Sequence, residues 1–238
     1  MVPQRTLPTG CMSLVFHRGE RLKVVNQDDL QPRFFINGQE TGFNDVISTG
    51  NIEMIVTVFQ PHTAKMFFHI PANLFCNESI SITDIEDVEL LDLARRIEDT
   101  DNLDISITLI EKFLLSRVLL GRNYNVPRLS AVVRHISDSV RTNLKGLADV
   151  ACLSEKQFSR IFSENIGTTP KEFLRIIRLQ RTLSILQHNP KISFAQLSYE
   201  CGYTDQSHMI KEFRLFTGYT TKEFLRSYTP VSDYFSNM

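Results

Sequence analysis

The stretch Gly167-Thr168-Thr169-Pro170-Lys171-Glu172-Phe173-Leu174-Arg175 returns almost unchanged as Gly218-Tyr219-Thr220-Thr221-Lys222-Glu223-Phe224-Leu225-Arg226. Lys171 and Lys222 stand 51 residues apart, and self-similarity at a fixed period constrains a fold more tightly than any composition. The correspondence runs backwards from these blocks: Phe162 pairs with Phe213, Arg160 with Lys211, and Phe158 with Met209. Beyond a turn the offset falls to 50, so Leu147 matches Leu197 and Ala151 matches Cys201. One extra residue in the second turn accounts for the change. Each copy is predicted to be a short helix, a tight turn and a second helix.

The local chemistry of each copy supports that plan. In the first, Leu147, Ala148 and Ala151 place small and apolar side chains on one helical face, and Cys152-Leu153 makes the turn. Ser154 followed by Gln157 is a capping box for the next helix. There Phe158, Ile161 and Phe162 recur at helical spacing as a buried stripe, while Lys156, Ser159, Arg160 and Ser163 fall opposite. In the second copy Leu197, Ser198 and Cys201 repeat the first face, and Gly202 allows positive φ at the turn. Asp205 is the expected cap, Met209 and Phe213 are expected to be buried, and Gln206, Ser207, His208, Lys211 and Arg214 face outward. Those outward groups can reach phosphates and base edges.

Between the copies, Thr169-Pro170-Lys171-Glu172 is a further helix start, with proline at the first helical position. The helix should run from about Pro170 to His188 and stop before Pro190. Leu174, Ile177, Leu179, Leu183, Ile185 and Leu186 make it apolar around much of its girth, as a helix wedged between two small bundles would be. Its length, roughly 25 Å or more, is on the scale of the ~34 Å between successive major grooves on one face of DNA.

Residues from about Pro127 to Tyr228 resemble the DNA-binding domain of the AraC/XylS family of bacterial transcription regulators. The most diagnostic stretch is Leu197 to Leu225, with Cys201-Gly202-Tyr203 and Phe213-Arg214-Leu215-Phe216-Thr217-Gly218. The sequence departs from the family at Thr221, where proline is usual, and at Met209, where an aromatic is common. The resemblance implies that Lys156, Ser159 and Arg160 enter one major groove and that Gln206, Ser207, His208 and Lys211 enter the next. It implies double-stranded promoter or operator DNA as partner, RNA polymerase as a second, and activation as the direction of control.

Charge is divided in the same sense. Residues 126–238 carry 15 Lys+Arg against 10 Asp+Glu, whereas residues 1–125 carry 11 against 17. A chain of net charge −1 thus contains a basic half able to attract a polyanion and an acidic half that would repel one. An excess of this size is also an ordinary solvated surface, so the repeat and not the charge decides. The opening Val2-Pro3-Gln4-Arg5-Thr6 is polar and no stretch approaches a membrane span, so a cytoplasmic protein without a membrane partner is expected. Cys11, Cys76, Cys152 and Cys201 form no CxxC pair and are expected to be free, buried thiols.

In the first half, β-rich runs at Ser13 to His17, Ile52 to Phe59 and Lys65 to Ile70 alternate with turn residues. They predict a small sandwich or barrel. Thr83 with Glu86 should open a helix to about Glu98, followed by a helix from Ile105 to Leu120. Leu7-Pro8-Thr9-Gly10-Cys11 followed by Ser13-Leu14-Val15-Phe16, and Val58-Phe59-Gln60-Pro61, resemble the cupin-like sensory half of a subgroup of the same family. That resemblance implies a small-molecule effector, with Met54, Val56, Phe67 and His69 as candidate lining residues. It also implies a homodimer through the Ile105–Leu120 helix, on which Ile107, Ile110, Leu114 and Val118 share a face and Glu111, Lys112, Ser116 and Arg117 form the polar part. The other reading is a helix buried between the two domains.

His17, His62 and His69 lack the spacing of a metal site, and no nucleophile motif or phosphate loop stands out, so no cofactor, metal or catalytic residue is expected. The expected fold class is α+β: a cupin-like β-barrel or sandwich with trailing helices over residues 1–121, then an all-α double helix-turn-helix domain over residues 127–230. Gly121 to Val126 serves as the linker. The function that follows is sequence-specific transcription regulation. Two alternatives stay open: an architectural DNA binder whose first half only dimerises, and an enzyme or ligand carrier fused to a DNA-binding remnant.

Overall fold

The computed structural model describes residues 3–27, 29–120, 124–139 and 141–227. Its first part carries strands β1 (Gln4–Thr6), β2 (Ser13–His17), β3 (Leu22–Val24), β4 (Asp29–Leu30), β5 (Phe34–Asn37), β6 (Asn44–Ser48), β7 (Met54–Val58) and β8 (Ser79–Ser81). Among the described residues these make two four-stranded antiparallel sheets, ordered β1-β6-β3-β4 and β7-β2-β5-β8. The centre of the second sheet shows why. With Leu14 opposite Ile36 and Val15 opposite Phe35, Leu14, Phe16 and Ile36 fall on one face and Val15, His17 and Phe35 on the other. All six are buried, so β2 reads as a continuous apolar run closed by a histidine.

Helices pack on the Leu14–Phe16–Ile36 face. They are α1 (Ala64–Phe68), α2 (Val88–Glu98) and α3 (Leu103–Leu120), whose Phe67, Phe68, Leu90, Leu93, Ile110 and Phe113 share one core with that face. The run Lys65 to Ile70, expected to be a strand, is therefore mostly helix. An apolar run this short has no period of its own, and the ring contacts of Phe59 with Phe67 and Phe68 at 4.9 and 5.2 Å decide the matter. The proposed barrel lining dissolves with it. Phe67 belongs to the helical core, His69 ends α1 at φ 56°, and Met54 and Val56 are exposed.

The start of α2 also moves. Asp87, not Thr83, is its cap, accepting a hydrogen bond from the Leu90 amide at 3.0 Å, while Thr83 sits in a preceding 3-10 turn. On α3 the buried stripe is Ser106, Leu109, Ile110, Phe113 and Arg117. Arg117, expected on the polar side, is buried because Asp87 holds its guanidinium at 2.6 and 2.8 Å, with Glu89 at 3.0 Å. The apolar side chains of Leu103, Ile105, Ile107, Leu115, Val118 and Leu119 are left outward.

The second part contains α4 (Asn125–Asp138), α5 (Leu144–Val150), α6 (Glu155–Ile166), α7 (Pro170–His188), α8 (Phe194–Glu200), α9 (Gln206–Thr217) and α10 (Thr221–Ser227). Helix α4 begins inside the expected linker, of which residues 121–123 lie outside the described residues, as do residues 228–230 of the expected second domain. Leu129, Leu147, Ala151, Phe158, Phe162 and Phe173 form the core of the first helix-turn-helix unit. Leu197, Cys201, Met209, Phe213, Phe216 and Phe224 form that of the second. Helix α7 serves both, giving Phe173 and Leu174 to one core and Ile176, Leu179, Leu183 and Leu186 to the other. That division is why its apolar residues encircle it.

Candidate nucleic-acid interface

Helices α6 and α9 are launched by side-chain caps at the expected places. Ser154 accepts from the Gln157 amide at 3.4 Å and completes a capping box, and Asp205 accepts from the His208 amide at 2.8 Å. Each helix is preceded by a left-handed turn residue, Cys152 at φ 53° in the first unit and Gly202 at φ 74° in the second. Cys152 is therefore exposed, not buried as expected of a thiol, and it occupies a conformation that glycine adopts without steric cost. Each helix ends on a left-handed glycine, Gly167 at φ 101° and Gly218 at φ 71°. Caps at both ends fix the length and roll of the helix, and with them which side chains face out.

Burial of Phe158 and Phe162 in α6, and of Met209 and Phe213 in α9, turns the opposite faces to solvent. On α6 this exposes Lys156 and Arg160 and leaves Ser159 half-buried. On α9 it exposes Gln206, Ser207, Lys211 and Arg214 and leaves His208 half-buried. The repeat mates Arg160 and Lys211 thus present a cation at the same place on each helix. A shallow, open concavity on α9 is lined by Ser207, Ile210, Lys211, Arg214 and Leu215. Its apolar floor between two cations suits the edge of a base, including a thymine methyl, beside phosphates.

Two of the outward groups are tethered from behind. Arg160 contacts Glu164 at 3.1 Å, and the other oxygen of Glu164 takes Lys65 of α1 at 3.1 Å. Lys65, with Arg160 in a lesser part, holds the Glu164 carboxyl below the usual carboxylate range. His208 is fixed at both nitrogens: Nδ1 accepts from the Thr204 amide at 3.4 Å, and Nε2 lies 3.4 Å from Glu212. Glu212, itself buried, takes Arg175 of α7 at 2.7 Å. Local sequence patterns missed Lys65 and Glu164, because a contact across 99 residues leaves no periodic signal.

Elsewhere, among the described residues, no three His, Cys, Asp or Glu side chains converge as metal ligands, and no helix is long and apolar enough to cross a membrane. Burial drives the His17 pKa down and the Cys11 thiol up to about 12, so each favours its neutral form.

A family model described as a helix-turn-helix domain matches residues 147–227, and one described as a domain of unknown function, DUF6597, matches residues 1–81. The transcriptional activator RhaS of Escherichia coli is 31% identical over 80 residues, covering 34% of this chain and 28% of that protein. An uncharacterised helix-turn-helix transcriptional regulator of Haemophilus influenzae is 29% identical over 85 residues, covering 36% and 28%. The chain thus spans a little over a quarter of the length of the curated relatives it matches. The solved structure of ToxT from Vibrio cholerae O395 superposes with a TM-score of 0.50 at 11% identity, covering 96% of this chain and 94% of that one, so the two share an overall fold. Duplicated and capped units around a shared helix, with the matching family model, identify residues 147–227 as a helix-turn-helix domain.

Proposed function

We propose that this chain is a cytoplasmic, sequence-specific DNA-binding transcription regulator that reads two successive major grooves, and that it activates. The observation that carries this reading is the pair of equivalent reading faces, with Arg160 on α6 and Lys211 on α9, in two units whose cores are both built on the 19-residue helix α7. At ~1.5 Å per residue that helix is about 28 Å long, close to the groove repeat. Lys156, Ser159 and Arg160 serve one groove; Gln206, Ser207, His208 and Lys211 serve the next. Activation is supported by the name of the E. coli relative, and implies RNA polymerase as a partner. On this reading the chain acts by binding and not by catalysis.

Arg160→Ala should cost about 1–3 kcal/mol on the cognate site and relax preference at one base pair. Competition binding against randomised DNA checks it. Equal weakening on cognate and random DNA would make Arg160 a backbone contact.

The first half, on the same reading, dimerises and carries a small-molecule effector. The outward Ile107, Leu115, Val118 and Leu119 on α3 support the dimer, because so many large apolar groups on one side of a helix are costly to leave wet. Sedimentation over rising concentration should show a monomer–dimer equilibrium that Leu115→Glu with Leu119→Glu abolishes. A monomer at every concentration removes the dimer.

A further inference from the structure

Gly167 and Gly218 are repeat mates, each ending a reading helix, and each is pressed against the first half of the chain. A Cβ on Gly167 would lie 2.9 Å from Gln39 Cγ and 3.2 Å from the Ala72 carbonyl oxygen. One on Gly218 would lie 3.0 Å from the Phe43 ring and closer still to the Arg5 guanidinium. Two equivalent turns, far apart in sequence, therefore dock on one β-sandwich. Neither turn could carry a side chain there without displacing it.

The docking is made of specific contacts. Arg5 Nη1 donates to the Thr217 carbonyl at 2.9 Å, which satisfies one of the carbonyls that α9 leaves free at its electronegative end. Asp45 on β6 holds the same guanidinium by two bonds of 2.7 Å, and the group lies over the rings of Phe43 at 3.9 Å and Tyr219 at 4.4 Å. From Arg5 the chain crosses α7. Leu7 packs on the second unit's core, the Pro8 carbonyl accepts from Gln180 at 2.5 Å, and Gly10 lies against Phe173. At the far side Gln39 donates to the Gly10 carbonyl at 2.5 Å and covers Gly167, and Lys65 holds Glu164 on α6.

We propose that the β-sandwich and its leading strand act as a brace on the two reading helices, gripping the duplicated turns at Gly167 and Gly218 and so setting the separation and roll at which the helices meet DNA. Helix α7 alone fixes the two units along one axis; the brace adds an anchor at the end of each reader. Three anchors define a rigid frame. The brace determines which spacing between two sequence blocks the protein accepts, and any change in the shape of the sandwich passes directly to that spacing. The proposal rests on the two-groove reading only for its effect on DNA, and its effect on the helices can be measured without DNA.

Spin labels on Glu155→Cys and Leu215→Cys, in a Cys76→Ser, Cys152→Gly background of the full chain, report the distance between α6 and α9. A single narrow distance distribution is expected, broadened by Arg5→Ala and, independently, by Asp45→Asn, with circular dichroism unchanged. On DNA, moving the two blocks apart by one base pair should weaken the parent by about tenfold and either variant by much less, since a looser link tolerates more geometries. An unchanged distance distribution in both variants overturns the brace, as does a spacing profile identical to the parent's. A parent that protects only one block contradicts the two-groove reading, and the label distances then decide the brace alone.

Discussion

Phe162→Ala should destabilise the second half of the chain by about 3–5 kcal/mol, a large part of the total for a domain of this size. Phe162 is fully buried, with its ring centroid 5.3 Å from Phe158 on the same helix and 5.6 Å from Phe173 on α7, the latter edge-on. Removing it empties the first unit's core at the place where that unit joins the shared helix. The loss is therefore expected to exceed the transfer term alone, because α7 is anchored to the second unit and cannot collapse inward. Two comparisons isolate the cause. Arg160→Ala, on the exposed face of the same helix, should leave the melting temperature nearly unchanged. A double-mutant cycle between Phe162 and Phe173 should show coupling of about 0.5–1.5 kcal/mol from the aromatic pair. Chemical denaturation of the full chain measures both. A loss below about 1 kcal/mol for Phe162→Ala would mean that the first unit is not a cooperative part of the domain.

How much of this was legible in the sequence depends on the range of the signal. The Pro170–His188 helix, the Ser154 and Asp205 caps and the buried Phe158, Phe162, Met209 and Phe213 came from contacts within a few turns of chain, where spacing is informative. Ser13–His17 was legible as a strand for the same reason. Lys65–Ile70 was not, because a run of that length fits either period and its partners Phe59 and Phe75 lie outside it. Arg117 was placed on the wet side of α3 because its type suggests it; the carboxylate that buries it sits 30 residues earlier. Cys152 was expected to be a buried thiol, yet it sits in a left-handed turn with its side chain exposed. On the reading faces, the outward positions were legible from the burial of their neighbours. The tethers behind them, Lys65 to Glu164 and Arg175 to Glu212, were not, since long-range pairing has no local pattern.

The largest effect on binding is expected from DNA geometry rather than from any side chain. On the two-groove reading, two readers on one rigid chain bind as a bivalent ligand, so the second contact is made at a high effective concentration once the first has formed. That advantage, about 10²–10⁴ in affinity, exists only while both sequence blocks lie on one face of the duplex. Inserting five base pairs between them turns one block by about half a helical turn, at ~10–10.5 base pairs per turn. Helix α7, with both cores built onto it, cannot follow.

The most direct measurement is thus a footprint and affinity on a site selected from random DNA, compared with the same site carrying that insertion. Two short protected blocks, ~10–10.5 base pairs apart on one face, should appear on the parent site. On the interrupted site only one should survive, with affinity reduced at least a hundredfold. Equal affinity for the two sites, or a single protected block on the parent, would contradict the claim that this chain reads two successive major grooves.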